Sequence, residues 1–379
     1  MKKINNKIKV AVLLGLGAIS LTSCGLTRNS TSLNPTNPDK IIETIINNIT
    51  QIDKDVSVSE ISNSITDVYK KVSKGCIGVY SKGETSYSTG SGVIFKEENG
   101  LYYAVTNEHV VDEGSSFMAY FGDGIYVNAT LIGKDSTNDV AVISFSLDDF
   151  PSIKKEVYTI PLENNTLLSI GETALAIGCP LSMTEHFNNL TSGIVSNISN
   201  LEISIDTPVN SGNSGGGLFN LKGELIGLVY KKDTYSSGSS RVPVDCMGYA
   251  IPLDIVSKAV NDILTLNGDI ERPTIGITVT TVSTLLENNN YEIYSKYLPS
   301  IDNKYNYVII TDVSSNTPAS KAGLQANDVL LEIGGYEINS LSDISYRLHQ
   351  MLKTDSTTLK IYRSSTGETV TIVVNLNNN

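Results

Sequence analysis

Residues 212–217 read Gly212-Asn213-Ser214-Gly215-Gly216-Gly217, a serine enclosed by glycines. Glycines let the main chain turn tightly and leave the serine hydroxyl exposed. They also allow neighbouring N–H groups to point at one place, as stabilisation of an oxyanion requires. Taken alone, the string is weak support for catalysis, because runs of Gly and Ser are usually turns or linkers. A catalytic reading therefore depends on a base and a carboxylate elsewhere in the chain.

The candidate base is a histidine, since histidine is the side chain most often used as a general base near neutral pH. The chain has three. His109 follows a β-like run, whereas His186 is predicted in an exposed loop and His349 on a helix. Asp139 comes just before an apolar run that is expected to be buried, and a carboxylate in such a place is suited to orient an imidazole by a hydrogen bond. Without His109 and Ser214, Asp139 would be interpreted as an ordinary turn residue. The order His109, Asp139, Ser214 is that of the chymotrypsin-like triad.

The region around these residues, 62–264, alternates short apolar runs with Gly, Asn and Asp turns. Many short strands over roughly 200 residues predict an all-β barrel or sandwich. A helix-like segment from Pro252 to Leu264 closes this region, and 265–272 reads as a linker. The clearest apolar runs are 92–95, 102–106, 140–143, 174–177, 193–195 and 225–229.

Several motifs together resemble the HtrA (DegP-like) family of serine proteases over residues 70–379. The resemblance implies a mostly β protein in which two packed antiparallel barrels of the chymotrypsin-like type hold the active site between them. It also implies proteolysis that needs no ATP, metal or other cofactor. The motifs are Gly90-Ser91-Gly92-Val93-Ile94, Thr106-Asn107-Glu108-His109-Val110-Val111, Asn138-Asp139-Val140-Ala141-Val142, Thr191-Ser192-Gly193-Ile194-Val195, Gly212-Asn213-Ser214-Gly215-Gly216 and Gly248-Tyr249-Ala250-Ile251-Pro252.

Carried over to this sequence, the resemblance implies a role for each site residue. Ser214 is the nucleophile, His109 the general base and then acid, and Asp139 the group that orients His109. The main-chain N–H groups of Gly212 and Ser214 hold the oxyanion. Ser211 stands where the family usually has Pro or Arg.

A second departure lies at Gly217, where the family usually has Pro or Ala. Together with Ser211, this change is expected to loosen the main chain beside the nucleophile. We therefore expect substrate to help order the oxyanion hole.

The resemblance also locates the primary specificity pocket. The position six residues before the nucleophile is Pro208, at the pocket base, and Leu228 and Val229 are expected on the opposite wall. An unpaired cation in a pocket is costly, and none of these side chains offers it a carboxylate. Cleavage is therefore expected after small or medium apolar residues, and the alternative is that Asp206 enters the pocket and confers basic specificity.

Residues 273–379 resemble a PDZ domain. Its apolar-Gly-apolar loop, Ile275-Gly276-Ile277, is expected to receive the C-terminal carboxylate of a peptide. The strand that follows would pair with that peptide, and a helix from Leu341 to Leu352 would form the other wall. The alternative is a packing module with a closed groove. Residues 284–306 look like an insertion that covers the groove or contacts the protease; the other motifs are Thr317–Leu324 and Asn327–Gly335.

The N-terminus, residues 1–23, is predicted to be a signal peptide. A basic start precedes an uncharged run, 10–21, that is too short for a comfortable membrane span. The run ends in Leu21-Thr22-Ser23-Cys24, which resembles the lipobox of bacterial lipoproteins, in which cleavage precedes a cysteine that becomes lipidated. We expect Cys24 to anchor the chain at the extracytoplasmic face of the cell membrane; the alternative is an uncleaved anchor with an incidental cysteine.

Residues 24–61 are predicted to be a tether with an Ile-rich helix. Isoleucines recur at helical spacing from Ile41 to Ile52, which indicates either a face packed on the body or an oligomer seam. The HtrA resemblance implies a homo-oligomer, a trimer in many members. Trimers of this family commonly use aromatic residues near the start of the protease domain as their interface, but residues 25–68 contain no Phe, Tyr or Trp.

Composition excludes several other classes of protein. The net charge of -12 and a sequence pI of about 4.8 argue against a nucleic-acid partner. Four cysteines in 379 residues are too few for the disulfide framework of a small secreted protein. Cys76, Cys179 and Cys246 lack the spacing of metal ligands, so no metal is expected. Cys76 is expected to be a small core residue.

The sequence therefore predicts an extracytoplasmic serine endoprotease that degrades misfolded or exposed polypeptides and binds peptide C-termini. One alternative is a non-proteolytic chaperone or PDZ scaffold, although such a protein has no need of all three triad groups. A second is a processing protease with few substrates.

Overall fold

The computed structural model describes residues 58–377, apart from 164–166, 238–239, 289, 291 and 293–306. The predicted signal peptide, Cys24 and the Ile-rich segment lie outside this range. Residues from Ser62 onward form one compact unit. Within the described residues, no helix has the length and apolar character needed to cross a membrane.

Two closed six-stranded antiparallel barrels form the first part of this unit. Closure gives every strand of these sheets a neighbour on both sides over at least part of its length. The first has the order β1-β2-β3-β6-β5-β4 and comprises β1 (Cys76–Lys82), β2 (Tyr87–Glu98), β3 (Leu101–Thr106), β4 (Ser116–Tyr120), β5 (Tyr126–Asp135) and β6 (Val140–Ser146). The second has the order β10-β11-β12-β9-β8-β7 and comprises β7 (Thr173–Gly178), β8 (Asn189–Ile198), β9 (Ile203–Ile205), β10 (Gly217–Phe219), β11 (Leu225–Ser237) and β12 (Ser240–Pro252).

Each of the six predicted apolar runs lies in a strand of these barrels. The expected mostly β, chymotrypsin-like double barrel is thereby confirmed. Among the residues described in this region, four α-helices accompany the barrels: α1 (Val58–Val72), α2 (Glu108–Val111), α3 (Pro151–Lys154) and α4 (Leu253–Leu266).

Helix α1 was not predicted from the sequence. Val68 and Val72 are buried in a core cluster that includes Phe219 and Leu225. The predicted start of the protease domain, residue 62, falls inside this helix. Its apolar residues Ile65, Val68 and Val72 do recur at helical spacing, which is the signal that could have revealed it.

Helix α4 follows Pro252 and ends at a left-handed Asn267 (φ +49°), a conformation that commonly terminates helices. The segment after it packs closely on the first barrel. The Ile270 N–H donates to the Lys134 carbonyl at 2.8 Å. A Cβ on Gly133 would lie only 2.3 Å from the Gly268 carbonyl oxygen, so this linker is part of the packed structure.

The C-terminal part contains a six-stranded sheet with the order β13-β14-β15-β17-β18, and β16 pairs with β15. Strand β13 lies at one edge of the sheet. The strands are β13 (Ile277–Thr281), β14 (Val308–Val313), β15 (Asp328–Ile333), β16 (Tyr336–Glu337), β17 (Ser356–Arg363) and β18 (Glu368–Asn375), with helices α5 (Val282–Glu287), α6 (Pro318–Lys321) and α7 (Leu341–His349).

The start of the predicted insertion belongs to this domain's own core. Val282 and Leu285 of α5 pack with Ile309 and Val329 of the sheet. Most of the insertion, 293–306, lies outside the described residues.

Helix α7, predicted as the second wall of the peptide groove, ends at His349 rather than near residue 352. It also contacts the barrels. The Tyr346 hydroxyl donates to Asp254 Oδ2 at 2.6 Å, and burial together with this hydrogen bond raises the pKa of Tyr346 to about 12. Asn200 Nδ2 donates to Asp343 Oδ1 at 2.8 Å. The predicted groove wall is therefore also a docking element on the protease.

Candidate active site

His109 and Asp139 meet in the first barrel. Helix α2 begins immediately before His109, and Asp139 immediately precedes β6. His109 Nδ1 lies 2.9 Å from Asp139 Oδ2 and 3.0 Å from Oδ1, and the His109 main-chain N–H donates to Oδ1 at 3.0 Å. One carboxylate thus holds both the ring and the main chain of His109.

Asp139 adopts a left-handed main-chain conformation, φ +53°. Asp and Asn enter this region more readily than most residues, but it is still sparsely populated. The Asn107 side chain supports the turn, because its Nδ2 donates to the Asp139 carbonyl at 2.8 Å. Asn107 also directly precedes α2, so one side chain ties the His109 helix to the Asp139 turn.

The carboxylate also changes the acidity of the imidazole. The hydrogen bond to the Asp139 carboxylate raises the pKa of His109 above its usual value, and partial burial opposes that rise. The negative charges of Asp139 and Glu108 raise the pKa further. His109 is therefore a stronger base than a free imidazole and accepts a proton more readily.

Ser214 lies between the two barrels in the turn before β10. Its carbonyl accepts the Ser91 N–H of the first barrel at 2.7 Å. Its hydroxyl donates to the Tyr230 carbonyl at 3.2 Å. Among the described residues, Ser214 Oγ makes no hydrogen bond to His109, so the nucleophile and base are not engaged with each other here.

The main chain before Ser214 presents two N–H groups. Gly212 has φ +97°, and a Cβ there would lie 2.3 Å from the Cys179 carbonyl oxygen, so the position requires glycine. In the part of the chain that the structure describes, neither the Gly212 nor the Ser214 N–H donates to an acceptor. Two unpaired donors beside a serine hydroxyl are suited to stabilise an oxyanion.

Leu181 helps to set the direction of the first of these donors. Its N–H donates to the Ser211 carbonyl at 2.7 Å. Because the C=O and N–H of a trans peptide point in opposite directions, this bond turns the Gly212 N–H away from Leu181. Leu181 itself has φ +63° and is 73% exposed, an unfavourable combination for an apolar residue in a loop.

Ser91 is a second positioning residue; it lies in the motif of residues 90–94, but the motif alone did not predict this role. Its side chain is buried, and its hydroxyl donates to the Gly212 carbonyl at 2.7 Å. The same oxygen accepts the Cys179 N–H at 2.9 Å. A hydroxyl of the first barrel thus anchors two loops of the second around the nucleophile.

The predicted pocket residues differ in exposure. Pro208 is exposed, and its carbonyl accepts the Thr191 hydroxyl at 2.8 Å. Leu228 and Val229, by contrast, are buried in two different core clusters. Their side chains therefore do not form the wall of an open pocket opposite Pro208.

Tyr230 is the β11 residue that borders the nucleophile. Its carbonyl accepts the Ser214 hydroxyl, and its phenol donates to Glu202 Oε2. Burial, followed by the hydrogen bond and negative charge of Glu202, raises the pKa of Tyr230 well above its usual value. Tyr230 is thus neutral and is held at both ends.

In the C-terminal domain, Gly276 adopts φ +79°, and a Cβ there would lie 2.3 Å from the Thr317 side chain. Ile275 is buried, and its carbonyl accepts the Ala319 N–H at 2.9 Å. Ile277 begins β13, which pairs with β14 on one side only within the described sheet. The loop is therefore fixed beside an available strand edge.

The remaining candidates are not part of this site. His186 is exposed, and His349 lies at the end of α7. Cys76 and Cys179 are buried free thiols, and burial raises the pKa of both. No cluster of three or more metal-binding side chains occurs among residues that the structure describes.

Comparisons with known proteins agree with this geometry. A trypsin-like peptidase domain matches residues 90–228, and a PDZ domain matches 273–374. The chain is 30% identical to "Serine protease Do-like HtrA" of Lactococcus lactis subsp. cremoris, over 94% of this chain and 92% of that protein. This chain belongs to the HtrA family. A protein of the same description from Bacillus subtilis is 32% identical, over 81% and 71% of the two chains. This HtrA protein is accordingly a serine endopeptidase with a PDZ domain.

Solved structures show the same fold. An "HtrA-type protease AlgW with tripeptide" superposes with a TM-score of 0.64 at 23% identity, covering 82% of this chain and 95% of that one. The serine endoprotease from Yersinia pestis gives a TM-score of 0.58 at 22% identity, covering 82% and 96%. The double barrel followed by a PDZ-type sheet is therefore shared.

Proposed function

We propose that this HtrA protease cleaves peptide bonds with Ser214 as nucleophile, His109 as base and Asp139 as the residue that orients His109. The observation that carries the proposal is the placement of His109 Nδ1 within 3.0 Å of both Asp139 carboxylate oxygens. This bond directs the other ring nitrogen, Nε2, away from Asp139 as the proton acceptor.

The reaction then follows from these positions. The Ser214 hydroxyl leaves the Tyr230 carbonyl and gives its proton to His109 as Oγ attacks the substrate carbonyl carbon. Asp139 stabilises the imidazolium, and the N–H groups of Gly212 and Ser214 hold the oxyanion. His109 gives the proton to the leaving amine as the C–N bond breaks. Water then attacks the acyl-enzyme with His109 as base, and breakage of the ester bond returns the proton from His109 to Ser214 Oγ.

A fluorophosphonate probe tests this assignment, because the probe reacts with activated serines. We expect labelling of the wild-type protein and none of Ser214→Ala, with Ser211→Ala as a matched control that still labels. If the wild-type protein were not labelled under any activating condition, the nucleophile assignment would be wrong.

The second candidate function, a non-proteolytic chaperone or scaffold, has one observation in its favour. The Ser214 hydroxyl is bonded to Tyr230 and not to His109. If this arrangement persists with substrate, peptides are bound but not cleaved. Casein digestion with and without an added C-terminal peptide separates the two functions, because a scaffold leaves casein intact in both.

We propose unfolded or exposed polypeptides as substrates, with cleavage after small or medium apolar residues. Pro208, six residues before the nucleophile, offers no charge, and the neighbouring wall now has to come from residues other than Leu228 and Val229. One methylene changes selectivity by only about 1–3 kcal/mol, so preference among Val, Ala, Ile and Leu should be loose. Mass spectrometry of casein fragments tests this, and cuts mainly after Lys or Arg would contradict it.

Quality control and dedicated processing are distinct versions of this function. A quality-control protease cuts many unfolded proteins at loosely selected sites, whereas a processing enzyme cuts one or few proteins. Proteome-wide cleavage mapping in wild-type cells and cells carrying Ser214→Ala would distinguish them. We expect many cleaved proteins.

We propose that the PDZ domain binds peptide C-termini by strand addition to β13. The fixed turn at Ile275-Gly276-Ile277 and the strand edge beside it support this. Gly276→Ala places a methyl group against Thr317, so we expect binding of a fluorescent C-terminal peptide to weaken. Equal affinity for the same peptide with an amidated C-terminus would contradict carboxylate recognition.

We propose a lipid anchor at Cys24 and an extracytoplasmic location. A similar protein from Halomonas elongata, 31% identical, is described as a probable periplasmic endoprotease. Cys24→Ala should abolish lipid labelling and release the protein from membranes. Unchanged mass and membrane retention would contradict the anchor.

We also propose a homo-oligomer, a trimer by family resemblance, with the isoleucines of 41–52 as its seam. A chain truncated to begin at Val56 should then lose mass in light scattering. An unchanged oligomer would exclude the isoleucine segment from the interface.

A further inference from the structure

The turn leading into Asp139 is organised by a buried carboxylate, Asp135, at the end of β5. Its side chain has no solvent exposure. Asp135 Oδ1 accepts the Asn138 N–H at 3.1 Å, and Oδ2 accepts Asn138 Nδ2 at 2.8 Å. Asp139 follows directly in its left-handed conformation. The position of the Asp139 carboxylate against His109 therefore depends on how firmly Asp135 is held.

Arg272, from the linker between the protease and PDZ domains, holds Asp135. Its side chain is 1% exposed, and both Nε and Nη2 lie 2.8 Å from Asp135 Oδ2. Nη1 donates to Asp262 Oδ2 at 2.8 Å, and Lys258 also bonds Asp262. Buried ions persist only when paired and hydrogen-bonded, so removal of Arg272 would leave Asp135 without its counter-ion.

The same turn touches the PDZ domain. Arg272 Nη1 donates to the Met351 carbonyl at 3.2 Å, and Asn138 Nδ2 lies 3.3 Å from the His349 carbonyl. The His349 ring also faces this cluster: burial and the charge of Arg272 lower its pKa, while Asp135 opposes that change. Arg272 is thus bonded to the barrel, to α4 and to the segment after α7.

We propose that Arg272 is a positioning residue for catalysis, acting through Asp135 and Asn138 to hold Asp139 against His109. This inference rests on the proposed role of the triad. Arg272 does not touch the reacting atoms; it fixes the turn on which the orienting carboxylate stands. The planar guanidinium donates from Nε to Asp135 and from Nη1 to Asp262 and Met351, and the point charge of lysine does not reproduce this fixed set of directions.

Arg272→Lys tests the proposal in the full chain, with kcat and KM measured separately on a quenched peptide. A small misplacement of a catalytic group slows the chemical step more than it weakens binding. We expect kcat to fall about ten- to a hundredfold with KM changed less than about twofold. The matched control is Arg363→Lys, because Arg363 pairs with buried Asp328 at 2.9 Å within the PDZ sheet. It should leave kcat unchanged.

A titration of the His109 ring by NMR provides a readout that needs no turnover. The groups that act on this ring are Asp139 and Glu108, and neither is altered. If the Asp139 carboxylate shifts, the pKa of His109 should fall towards its ordinary value in Arg272→Lys and stay unchanged in Arg363→Lys. If Arg272→Lys does not fold, Asn138→Ala is the substitute test, because it weakens the same turn without leaving a buried charge unpaired. It should lower both kcat and the pKa of His109.

The outcomes are distinct. A higher KM with wild-type kcat, equal losses in Arg272→Lys and Arg363→Lys, or an unchanged His109 pKa in both Arg272→Lys and Asn138→Ala would overturn the positioning role. If the wild-type protein does not hydrolyse peptides, the proposed function fails instead, and the His109 titration still decides the role of Arg272.

Discussion

The two barrels contribute unequal halves to the active site. In the first barrel, His109 and Asp139 are already joined through three contacts of 2.9–3.0 Å. In the second, the Ser214 hydroxyl is bonded to the Tyr230 carbonyl, and the donors beside it have no described acceptor. The base and its orienting group are thus preformed, whereas the nucleophile still has to engage the base.

The difference follows from where the supporting bonds originate. The direct bonds of the His109–Asp139 pair, including the one from Asn107, lie within one barrel, and Arg272 supports the Asp139 turn from outside it. The Ser214 turn instead depends on the hydroxyl of Ser91, which lies 121 residues before Gly212 and in the other barrel. The first half therefore meets within one barrel and is reinforced from outside, whereas the second half exists only when the two barrels pack correctly.

The largest effect should come from the preformed half. Asp139→Asn keeps the shape of the side chain but no longer selects the correct tautomer of His109, and kcat should fall about 10⁴-fold. Asp112→Asn is a matched control, because Asp112 is a neighbouring acid, half exposed, that pairs with Lys134. A loss below about tenfold in Asp139→Asn would show that His109 is oriented by other groups.

The next effect should come from the oxyanion side. Leu181→Pro removes the N–H that holds the Ser211 carbonyl and cannot adopt a positive φ, so the Gly212 donor loses its fixed direction. We expect kcat to fall about 10²–10³-fold, the usual effect of losing one oxyanion donor. Leu181→Ala retains the N–H and should stay near wild type. Equal losses of kcat in Leu181→Pro and Leu181→Ala would show that the leucine side chain, and not its N–H group, is responsible.

A smaller effect is expected from pH. Only neutral His109 accepts the serine proton, and its pKa is raised above 6.5 by Asp139. Activity should therefore rise with pH through a midpoint above 6.5. The contribution of this pair to the free energy of unfolding has the opposite dependence: it should be complete below pH 6.5 and lost as the pH rises through the raised pKa of His109. Profiles of kcat/KM against pH test this. A midpoint at or below that value would mean that Asp139 does not support the charged ring.

The smallest effect should come from Tyr230→Phe. Ser214 is bonded to the main-chain carbonyl of Tyr230, which this change retains, so kcat should change less than about threefold. The lost bond to Glu202 should lower the free energy of unfolding by about 1 kcal/mol, measured by thermal denaturation. A large fall in kcat would give the phenol a direct role. Tyr346→Phe, which removes the bond to Asp254, is the control for a lost tyrosine hydroxyl.

The sequence predicted the parts of this protein that local chemistry controls. Apolar runs between turn residues became barrel strands, and glycines marked positions that require positive φ, such as Gly212 and Gly276. Helix α4 and helix α7 lie within a few residues of their predicted bounds. The predicted starts and ends of the domains stay predictions, and helix α1 crosses one of them.

The tertiary structure alone decided which side chains face the cleft and which bonds cross between segments. Leu228 and Val229 lie on opposite faces of β11, and both faces are covered. Val229 packs inside the second barrel, and Leu228 packs against the helices and the first barrel. Ser91, Leu181 and Arg272 act through partners distant in sequence. A motif specifies a residue's chemistry and local turn; its neighbours depend on strand register and on how the barrels pack, which no single segment encodes.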